Sequence, residues 1–247
     1  MPDLALRKAL EMLRSYVAFD LETTGLSPDK NEIIEIGALK VRDGKVKERF
    51  MEFICPCEEI SPKIQELTGI TNEMVASARC RDDVVRDFVR FCEDDVLIGH
   101  NVIFDYSFMK VAASSLGLPF EKLGIDTLKI ARKVHKDFES KSLGSLCEYY
   151  GIENKAAHRA YHDALATAKL YHTLAHYFEE KDPKVFKPVA LMYKQKKESP
   201  ATPRQLEYLK KLMLNNNLKI AYDAGTITKS QASRMIDDII SGRPVSF

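Results

Sequence analysis

The chain has no long apolar run, no internal repeat and no low-complexity tract, and these absences exclude several classes of protein. A helix that spans a bilayer needs about 20 consecutive apolar residues, and no stretch of that length occurs, so we expect no membrane association. Charged residues near the start, including Arg7, Lys8 and Glu11, exclude the apolar core of a secretory signal peptide. The expected location is therefore the cytoplasm.

Cysteine is scarce, and its spacing does not suit a zinc site. The chain has five cysteines, and the pair Cys55 and Cys57 has no second pair at the spacing that zinc ligands show. Free thiols in a reducing compartment are the simpler interpretation.

Net charge is nearly absent, since 37 basic and 36 acidic residues give a formal charge of +1. The two signs are unevenly placed: residues 179–247 hold thirteen basic and eight acidic residues, whereas residues 1–178 hold 24 and 28. An acidic body with a basic tail suits an enzyme that acts on nucleic acid, because the tail can contact phosphates. A solvated tail of mixed charge is the alternative interpretation.

Apolar periodicity predicts a mixed α/β protein. Strands are expected over 16–21, 33–41, 46–54, 96–99 and 123–126. Helices are expected over 61–68, 71–78, 81–93, 104–116, 127–135, 142–150 and 162–178. The Asp43-Gly44 pair predicts a tight hairpin between the second and third strands. The expected fold is a mixed sheet flanked by helices, antiparallel at first and then extended by parallel strands.

The same patterns divide the chain into four parts. These are an N-terminal helix over 1–14, a main domain over 15–178, a linker over 179–201 and a small helical module over 202–247. Helices at 203–215 and 228–241 are expected in the module. About forty residues cannot bury a large core, so the module is expected to pack on the main domain or on a partner.

Two acidic residues end the first predicted strand. Because strand side chains alternate, Asp20 and Glu22 share one face, opposite to Phe19 and Leu21. Neighbouring carboxylates repel each other unless a cation lies between them. An exposed acidic strand end would explain an isolated pair, but here the hydroxyls and the glycine of Thr23-Thr24-Gly25 follow at once.

Two further carboxylates fall in the first turns of predicted helices, on their apolar sides. Asp105 shares a helical stripe with Met109, and Asp163 shares one with Leu170. The helix dipole favours a carboxylate at this position, but it does not explain the inward face. Buried carboxylates need compensating positive charge, and a pair of divalent metal ions is the most economical source.

Histidines near these carboxylates are candidates for proton transfer. His158 lies in the loop before Asp163, where an imidazole can take a proton from water. His162 adjoins Asp163 but projects about 100° away around the helix. His100 is better placed for contact with a substrate.

Three motifs occur in a fixed order: DxETTGL at 20–26, HNxxFD at 100–105 and HxxxxD at 158–163. In type, order and spacing they resemble the DnaQ-like, or DEDDh, family of 3′–5′ exonucleases. The resemblance covers about residues 15–178 and is strongest to the proofreading exonucleases of bacterial replicative polymerases, such as the epsilon subunit of DNA polymerase III. The segments 34–37, 67–71 and 126–127 also look like family sequence.

This resemblance implies an RNase H-like fold and hydrolysis of a terminal phosphodiester with two divalent ions, Mg²⁺ or Mn²⁺. It implies that Asp20, Glu22 and Asp163 hold one ion, and that Asp20 and Asp105 hold the other. His158 would be the general base.

The resemblance further implies a grip on the 3′-terminal nucleotide by Thr23, Leu26, His100 and Phe104. Leu26 would enter between the last bases, and Phe104 would pack against the terminal sugar or base. Such stacking tolerates any base, so little base specificity is expected. The expected substrate is a single-stranded or frayed DNA 3′ end, and a DNA polymerase is a possible partner.

Other functions remain open on the sequence alone. The chain could trim RNA 3′ ends, bind nucleic acid without cleaving it, or act only within a polymerase complex. The complete set of carboxylates argues against a silent relative. In the C-terminal module, nucleic-acid or partner binding through Arg204, Lys210, Lys211 and Arg234 competes with a simple packing role.

Overall fold

The computed structural model describes residues 13–154, 157–194, 199–218, 223 and 225–242. The helix predicted over 1–14 therefore lies almost wholly outside the described residues. The chain divides into two compact units, Met1–Tyr193 and Lys194–Phe247. Within the described ranges, no helix is both long enough and apolar enough to cross a bilayer.

The first unit is built on a six-stranded sheet. Its strands are β1 Tyr16–Thr23, β2 Ile33–Arg42, β3 Lys45–Phe53, β4 Leu97–Gly99, β5 Leu123–Asp126 and β6 Val189–Ala190. They lie in the order β3-β2-β1-β4-β5-β6. The first three strands are antiparallel, β4 and β5 are parallel additions, and β6 is antiparallel to β5. The predicted antiparallel start with parallel additions is confirmed.

The hairpin between β2 and β3 forms where the sequence predicts it. Asp43 and Gly44 have φ values of 53° and 76°. A two-residue turn with both φ values positive matches the right-handed twist of the two strands, and Asp-Gly tolerates this geometry well. The turn thus fixes the pairing of the longest strands in the sheet.

Helices cover both faces of the sheet. In the first unit these are α1 Pro62–Thr68, α2 Asn72–Val75, α3 Arg81–Cys92, α4 Val102–Ser115, α5 Thr127–Val134, α6 Leu143–Tyr150, α7 Ala160–Phe178 and the 3₁₀ helix Pro183–Phe186. On one face, α3 and α4 pack against Phe19 and Leu21 of β1. On the other face, α5, α6 and α7 pack against Tyr16 and Ala18. Because β1 is buried on both faces, it is the centre of this unit.

The linker predicted over 179–201 is wrong in its first part. Phe186 is 3% exposed and Leu191 is 8% exposed, and the short strand β6 extends the sheet beyond β5. A Cβ atom at Gly124 would lie 2.7 Å from the Leu191 side chain, so this glycine makes room for the returning chain. The prolines and charges of this segment suggested a linker, but two apolar side chains anchor it to the first unit.

The second unit contains the two helices that the sequence predicts, α8 Pro203–Asn215 and α9 Lys229–Ile240. Each begins with a capping box, formed by Thr202 with Gln205 and by Thr228 with Gln231. A small apolar core joins them: Ala201, Leu209, Ile227, Ala232, Met235 and Ile239 are its buried members.

One glycine of β2 allows α7 to lie unusually close to the sheet. A Cβ atom at Gly37 would lie 1.9 Å from the backbone nitrogen of Tyr161, in the first turn of α7. No side chain fits between these two backbones. Gly37 therefore sets the distance between the sheet and the helix turn that carries Asp163.

We expect Gly37→Ala to lower the free energy of unfolding by about 1–3 kcal/mol, because the added methyl group must push α7 from the sheet. Urea denaturation measures this loss. Gly144→Ala is the matched control, because a Cβ atom there meets nothing within 4 Å. Equal stability of the two variants would show that α7 moves without cost.

Candidate active site

Two helices from opposite faces of the sheet bring their first turns to the carboxyl end of β1. β4 runs parallel to β1, and α4 follows it almost at once, so Asp105 reaches this end from one face. α7 brings Asp163 from the other face. Both carboxylates line one cavity of about 510 Å³, together with Asp20 and Glu22 of β1.

The cavity also brings together most of the other predicted site residues. His100, Phe104 and His158 line it with the four carboxylates. Thr23 and Leu26 lie in β1 and in the loop that follows, and they are not among its lining residues. The inward orientation that helical periodicity predicted for Asp105 and Asp163 is found, since their exposed fractions are 3% and 8%.

Asp105 and Asp163 are held by hydrogen bonds from neighbouring chain segments. The backbone amide of Leu21 donates to Asp105 Oδ1 at 3.0 Å. Asn154 Nδ2 donates to Asp163 Oδ1 at 2.7 Å, and the backbone amide of His158 donates to Asp163 Oδ2 at 2.8 Å. The loop before α7 therefore fixes the carboxylate that it precedes.

His158 lines the cavity, and His162 does not. The His158 side chain is exposed to the cavity, and its backbone has a left-handed φ of 63°. Candidate ligand atoms of Glu22, His158 and Asp163 all lie within 4.8 Å of one another. His162 is exposed and does not line the cavity. Among the described residues, Asp20 does not belong to this group of three.

Burial and mutual repulsion make Asp20, Glu22 and Asp105 hard to ionise. Burial, followed by the neighbouring charge of Asp163, raises the pKa of Glu22 to about 8. Burial also raises the pKa of Asp105, against the lowering effect of the Leu21 hydrogen bond. The pKa of Asp20 is raised well above its usual value by burial and then by Asp105. A bound cation would relieve this cost.

The donor set fits hard divalent cations. Asp20, Glu22, Asp105 and Asp163 offer carboxylate oxygens, which Mg²⁺ and Mn²⁺ prefer over softer ligands. The structural observation behind this fit is that four carboxylates converge on one cavity, where burial and mutual repulsion raise the pKa values of Glu22 and Asp105.

Leu26, Phe104 and Thr23, which are predicted to contact a substrate, differ in the exposure and the contacts of their side chains. The Leu26 side chain is 86% exposed and free to contact a ligand. Phe104 lines the cavity, with its ring centroid 5.1 Å from that of Phe108. The Thr23 hydroxyl donates to the carbonyl of Gly25 at 2.7 Å and so braces the turn after β1.

His100 is more constrained than the sequence suggested. Its Nε2 lies 2.9 Å from the carbonyl oxygen of Lys141, and its Nδ1 lies 2.9 Å from Thr127 Oγ1. A carbonyl can only accept, so Nε2 carries a proton and donates to Lys141, while Nδ1 shares a hydrogen bond with the Thr127 hydroxyl. Burial lowers the pKa of His100. The ring thus joins β4, α5 and the loop before α6, and only its carbon atoms are left for a substrate.

An ion pair beside the site was not singled out from the sequence. Glu35 lies directly opposite Glu22 on the neighbouring strand and is 4% exposed. Arg159 Nη2 donates to Glu35 Oε1 at 3.0 Å, and the amide of Ala160 donates to Glu35 Oε2 at 3.1 Å. The Arg159 guanidinium also lies over the ring of Phe53, 5.2 Å from its centroid. This pair ties the start of α7 to β2.

Local signals for such supporting residues exist in the sequence. Glu35 is a carboxylate within an apolar strand, flanked by Ile34 and Ile36. Asp126 is the last residue of β5, and its Oδ1 accepts from the amides of Asn101 and Leu128, each at 3.0 Å. A charged residue in an apolar segment implies a partner, but the sequence does not say which one.

Comparison with known proteins identifies the first unit. The family model RNase_T, described as an exonuclease, matches residues 17–171. The chain belongs to this exonuclease family. The resemblance to DnaQ-like 3′–5′ exonucleases is confirmed, and so is the assignment to the nuclease class of hydrolases.

The exonuclease domain is similar to part of much longer DNA polymerases. DNA polymerase III PolC-type of Bacillus subtilis (strain 168) is 43% identical over 159 residues, which is 63% of this chain and 11% of the relative. The PolC-type protein of Caldanaerobacter subterraneus subsp. tengcongensis is 41% identical over 156 residues, with the same shares. The chain thus spans about a tenth of the length of these relatives.

Solved exonuclease structures share the fold. The nuclease domain of 3′hExo, a DEDDh family member bound to rAMP, has a TM-score of 0.58 and 20% identity, covering 72% of this chain and 98% of that one. Exonuclease X in complex with 5′ overhanging duplex DNA has a TM-score of 0.56 and 24% identity, covering 70% and 99%. The predicted RNase H-like fold is confirmed.

We expect Arg159→Ala to lower nuclease turnover about 10- to 100-fold, because it releases the loop that carries His158. Glu35→Gln keeps an acceptor for the Ala160 amide, so its turnover should fall less. Arg159→Lys should recover part of the turnover that Arg159→Ala loses. Separate measurement of kcat and KM, with circular dichroism as a check on folding, tests this.

Arg79→Ala is the control for that pair, since Arg79 makes an exposed ion pair with Asp87 at 2.6 Å. If Arg159→Ala and Arg79→Ala have the same kcat, the Glu35–Arg159 pair does not position the site.

Metal-free protein should lose stability as pH rises from about 4.5 towards 8. In this window the folded state keeps a proton on Glu22 that the unfolded chain has released, because the pKa of Glu22 is raised from 4.5 to about 8. Mn²⁺ should raise the melting temperature most at pH 8, where it competes least with protons. Thermal melts in EDTA and in Mn²⁺ measure both effects.

Glu22→Gln should flatten this pH dependence, whereas Glu66→Gln, at an exposed site on α1, should leave it as it is in the wild type. The same slope in wild type and Glu22→Gln would contradict the protonation of Glu22 in the folded protein.

Proposed function

We propose that this chain is a 3′–5′ exonuclease that releases nucleoside monophosphates from single-stranded or frayed DNA 3′ ends. The observation that carries the proposal is the convergence of Asp20, Glu22, Asp105 and Asp163 with His158 around one cavity. Membership of the exonuclease family gives this arrangement its chemical interpretation.

The carboxylates would hold two divalent ions, Mg²⁺ or Mn²⁺. Asp20, Glu22 and Asp163 would hold one, and Asp20 and Asp105 would hold the other. When bound, such ions polarise the phosphodiester and stabilise the charge that develops on the attacking and leaving oxygens. The raised pKa values of Glu22 and Asp105 support this assignment, because ion binding would replace the protons that neutralise the site.

His158 would act as the general base. An imidazole exchanges protons at neutral pH, and this one is exposed to the cavity beside Glu22 and Asp163. It would accept a proton from the attacking water as the bond between phosphorus and the 3′ oxygen breaks. The products are a nucleoside 5′-monophosphate and a strand shortened by one nucleotide.

The terminal nucleotide would be held by stacking and packing. Leu26, which is 86% exposed, would enter between the last bases, and Phe104 would support the terminal sugar from the cavity wall. Thr23 would shape the turn, and His100 would contribute its ring carbons. Contacts of this kind favour an unpaired end of any base sequence.

DNA is the favoured substrate, and RNA is the second candidate. The PolC-type relatives are DNA polymerases, and Exonuclease X was solved with duplex DNA, which supports DNA. The 3′hExo nuclease domain was solved with rAMP, which supports an RNA 3′ end as the alternative. The polymerase relatives also make a DNA polymerase the partner class that co-purification should test.

The decisive experiment follows 3′-labelled and 5′-labelled DNA and RNA oligonucleotides in Mg²⁺, Mn²⁺ and EDTA. We expect mononucleotides from the 3′ label, a descending ladder from the 5′ label, faster cleavage of DNA, and no cleavage in EDTA. Release from the 5′ end first, or activity in EDTA, would refute the proposal. Faster cleavage of RNA would show that the substrate of the proposed exonuclease is an RNA 3′ end.

The same assay tests the residues. Asp163→Asn should abolish cleavage, and His158→Ala should lower kcat about 10²- to 10⁴-fold, the usual contribution of a general base. His162→Ala is the matched control and should keep wild-type kcat, because His162 does not line the cavity. Equal losses in the two histidine variants would remove His158 from the mechanism.

A further inference from the structure

We propose that the second unit carries a separate binding site for single-stranded nucleic acid, centred on Tyr208. Arg204, Tyr208 and Lys211 are spaced at i, i+4 and i+7 on α8, so they form one stripe along the helix. All three line an open cavity of about 520 Å³, which Ile236 of α9 also borders.

The three side chains are available to a ligand. Tyr208 is 47% exposed, and Arg204 and Lys211 are both exposed. Within the described residues, neither cation has an ion-pair partner. A helix face that is only solvated by water needs charged side chains, but it does not need an exposed aromatic ring between two unpaired cations.

The helix that carries the stripe is firmly held. Gln205 completes the capping box of α8, and its Nε2 also donates to the Lys229 carbonyl at 3.2 Å and to Ser233 Oγ at 2.9 Å. Leu209, on the opposite side of α8, is fully buried against α9. The stripe is therefore presented by an element that does not need to rearrange on binding.

The chemistry of the stripe favours a nucleic-acid strand. A base can stack on the Tyr208 ring while the phosphates on either side meet Arg204 and Lys211, which is how proteins commonly hold single strands. Residues 194–247 contain ten basic and five acidic residues, so the whole unit attracts phosphate. An acidic peptide would use the two cations but would leave the ring without a role.

The test uses the full chain with Asp163→Asn in EDTA, so that binding is measured without cleavage. Fluorescence anisotropy with a labelled 20-nucleotide oligo-dT at several salt concentrations gives the affinity and its salt slope. We expect Tyr208→Ala to weaken binding about tenfold and Tyr208→Trp to restore it. Arg204→Gln with Lys211→Gln should reduce the salt slope by about 1.4, or 0.7 for each lost phosphate contact.

Charge controls lie on the same helix. Lys210→Gln removes the same charge as Lys211→Gln, but Lys210 does not line the cavity and should matter little. Glu207 does line the cavity, and Glu207→Gln should tighten binding by removing its repulsion of phosphate. Circular dichroism checks that each variant folds.

Three outcomes would overturn the proposal. These are unchanged affinity in Tyr208→Ala, equal losses in Lys210→Gln and Lys211→Gln, and stronger competition by a poly-glutamate peptide than by oligo-dT. Because the assay needs no turnover, its result stands whether or not the first unit cleaves DNA. Failure of this site and failure of the proposed exonuclease activity are therefore distinguishable.

Discussion

The main physical constraint on the first unit is the repulsion between the carboxylates that meet at the end of β1. Asp20 and Glu22 lie on one strand, while Asp105 and Asp163 enter from helices on opposite faces. Each added negative charge makes the next harder to ionise, and burial removes the water that would screen them. The backbone amide of Leu21 offsets part of this cost at Asp105. The rest calls for external cations, which is why the proposed activity depends on metal ions.

The fold keeps these groups together by pressing helices onto both faces of one strand. Large side chains of α3 and α4 fill one layer, whereas α7 lies so close to the sheet that only Gly37 fits beneath its first turn. Large side chains therefore fill the layer on one face, whereas on the other face the lack of a side chain at Gly37 lets α7 approach the sheet. On each face one helix, α4 or α7, begins at the same cavity, where its free N-terminal amides favour negative charge.

Local periodicity was sufficient to predict the first five strands and the inward faces of Asp105 and Asp163, because faces repeat every two or every 3.6 residues. It could not predict partners distant in sequence. Arg159 and Glu35 are 124 positions apart, and the ring of His100 bonds to Lys141 across the fold. The short strand β6 also escaped prediction, since two residues carry no period.

The loop before α7 couples the proposed base to the proposed metal site. His158 adopts a left-handed backbone conformation, which costs a non-glycine residue about 1 kcal/mol or more. The loop holds this conformation because the His158 amide bonds to Asp163, and because Arg159 bonds to Glu35. A movement of the His158 backbone would therefore also release a hydrogen bond to the Asp163 carboxylate. The proposed base and a proposed metal ligand are therefore joined directly by the hydrogen bond from the His158 amide to the Asp163 carboxylate.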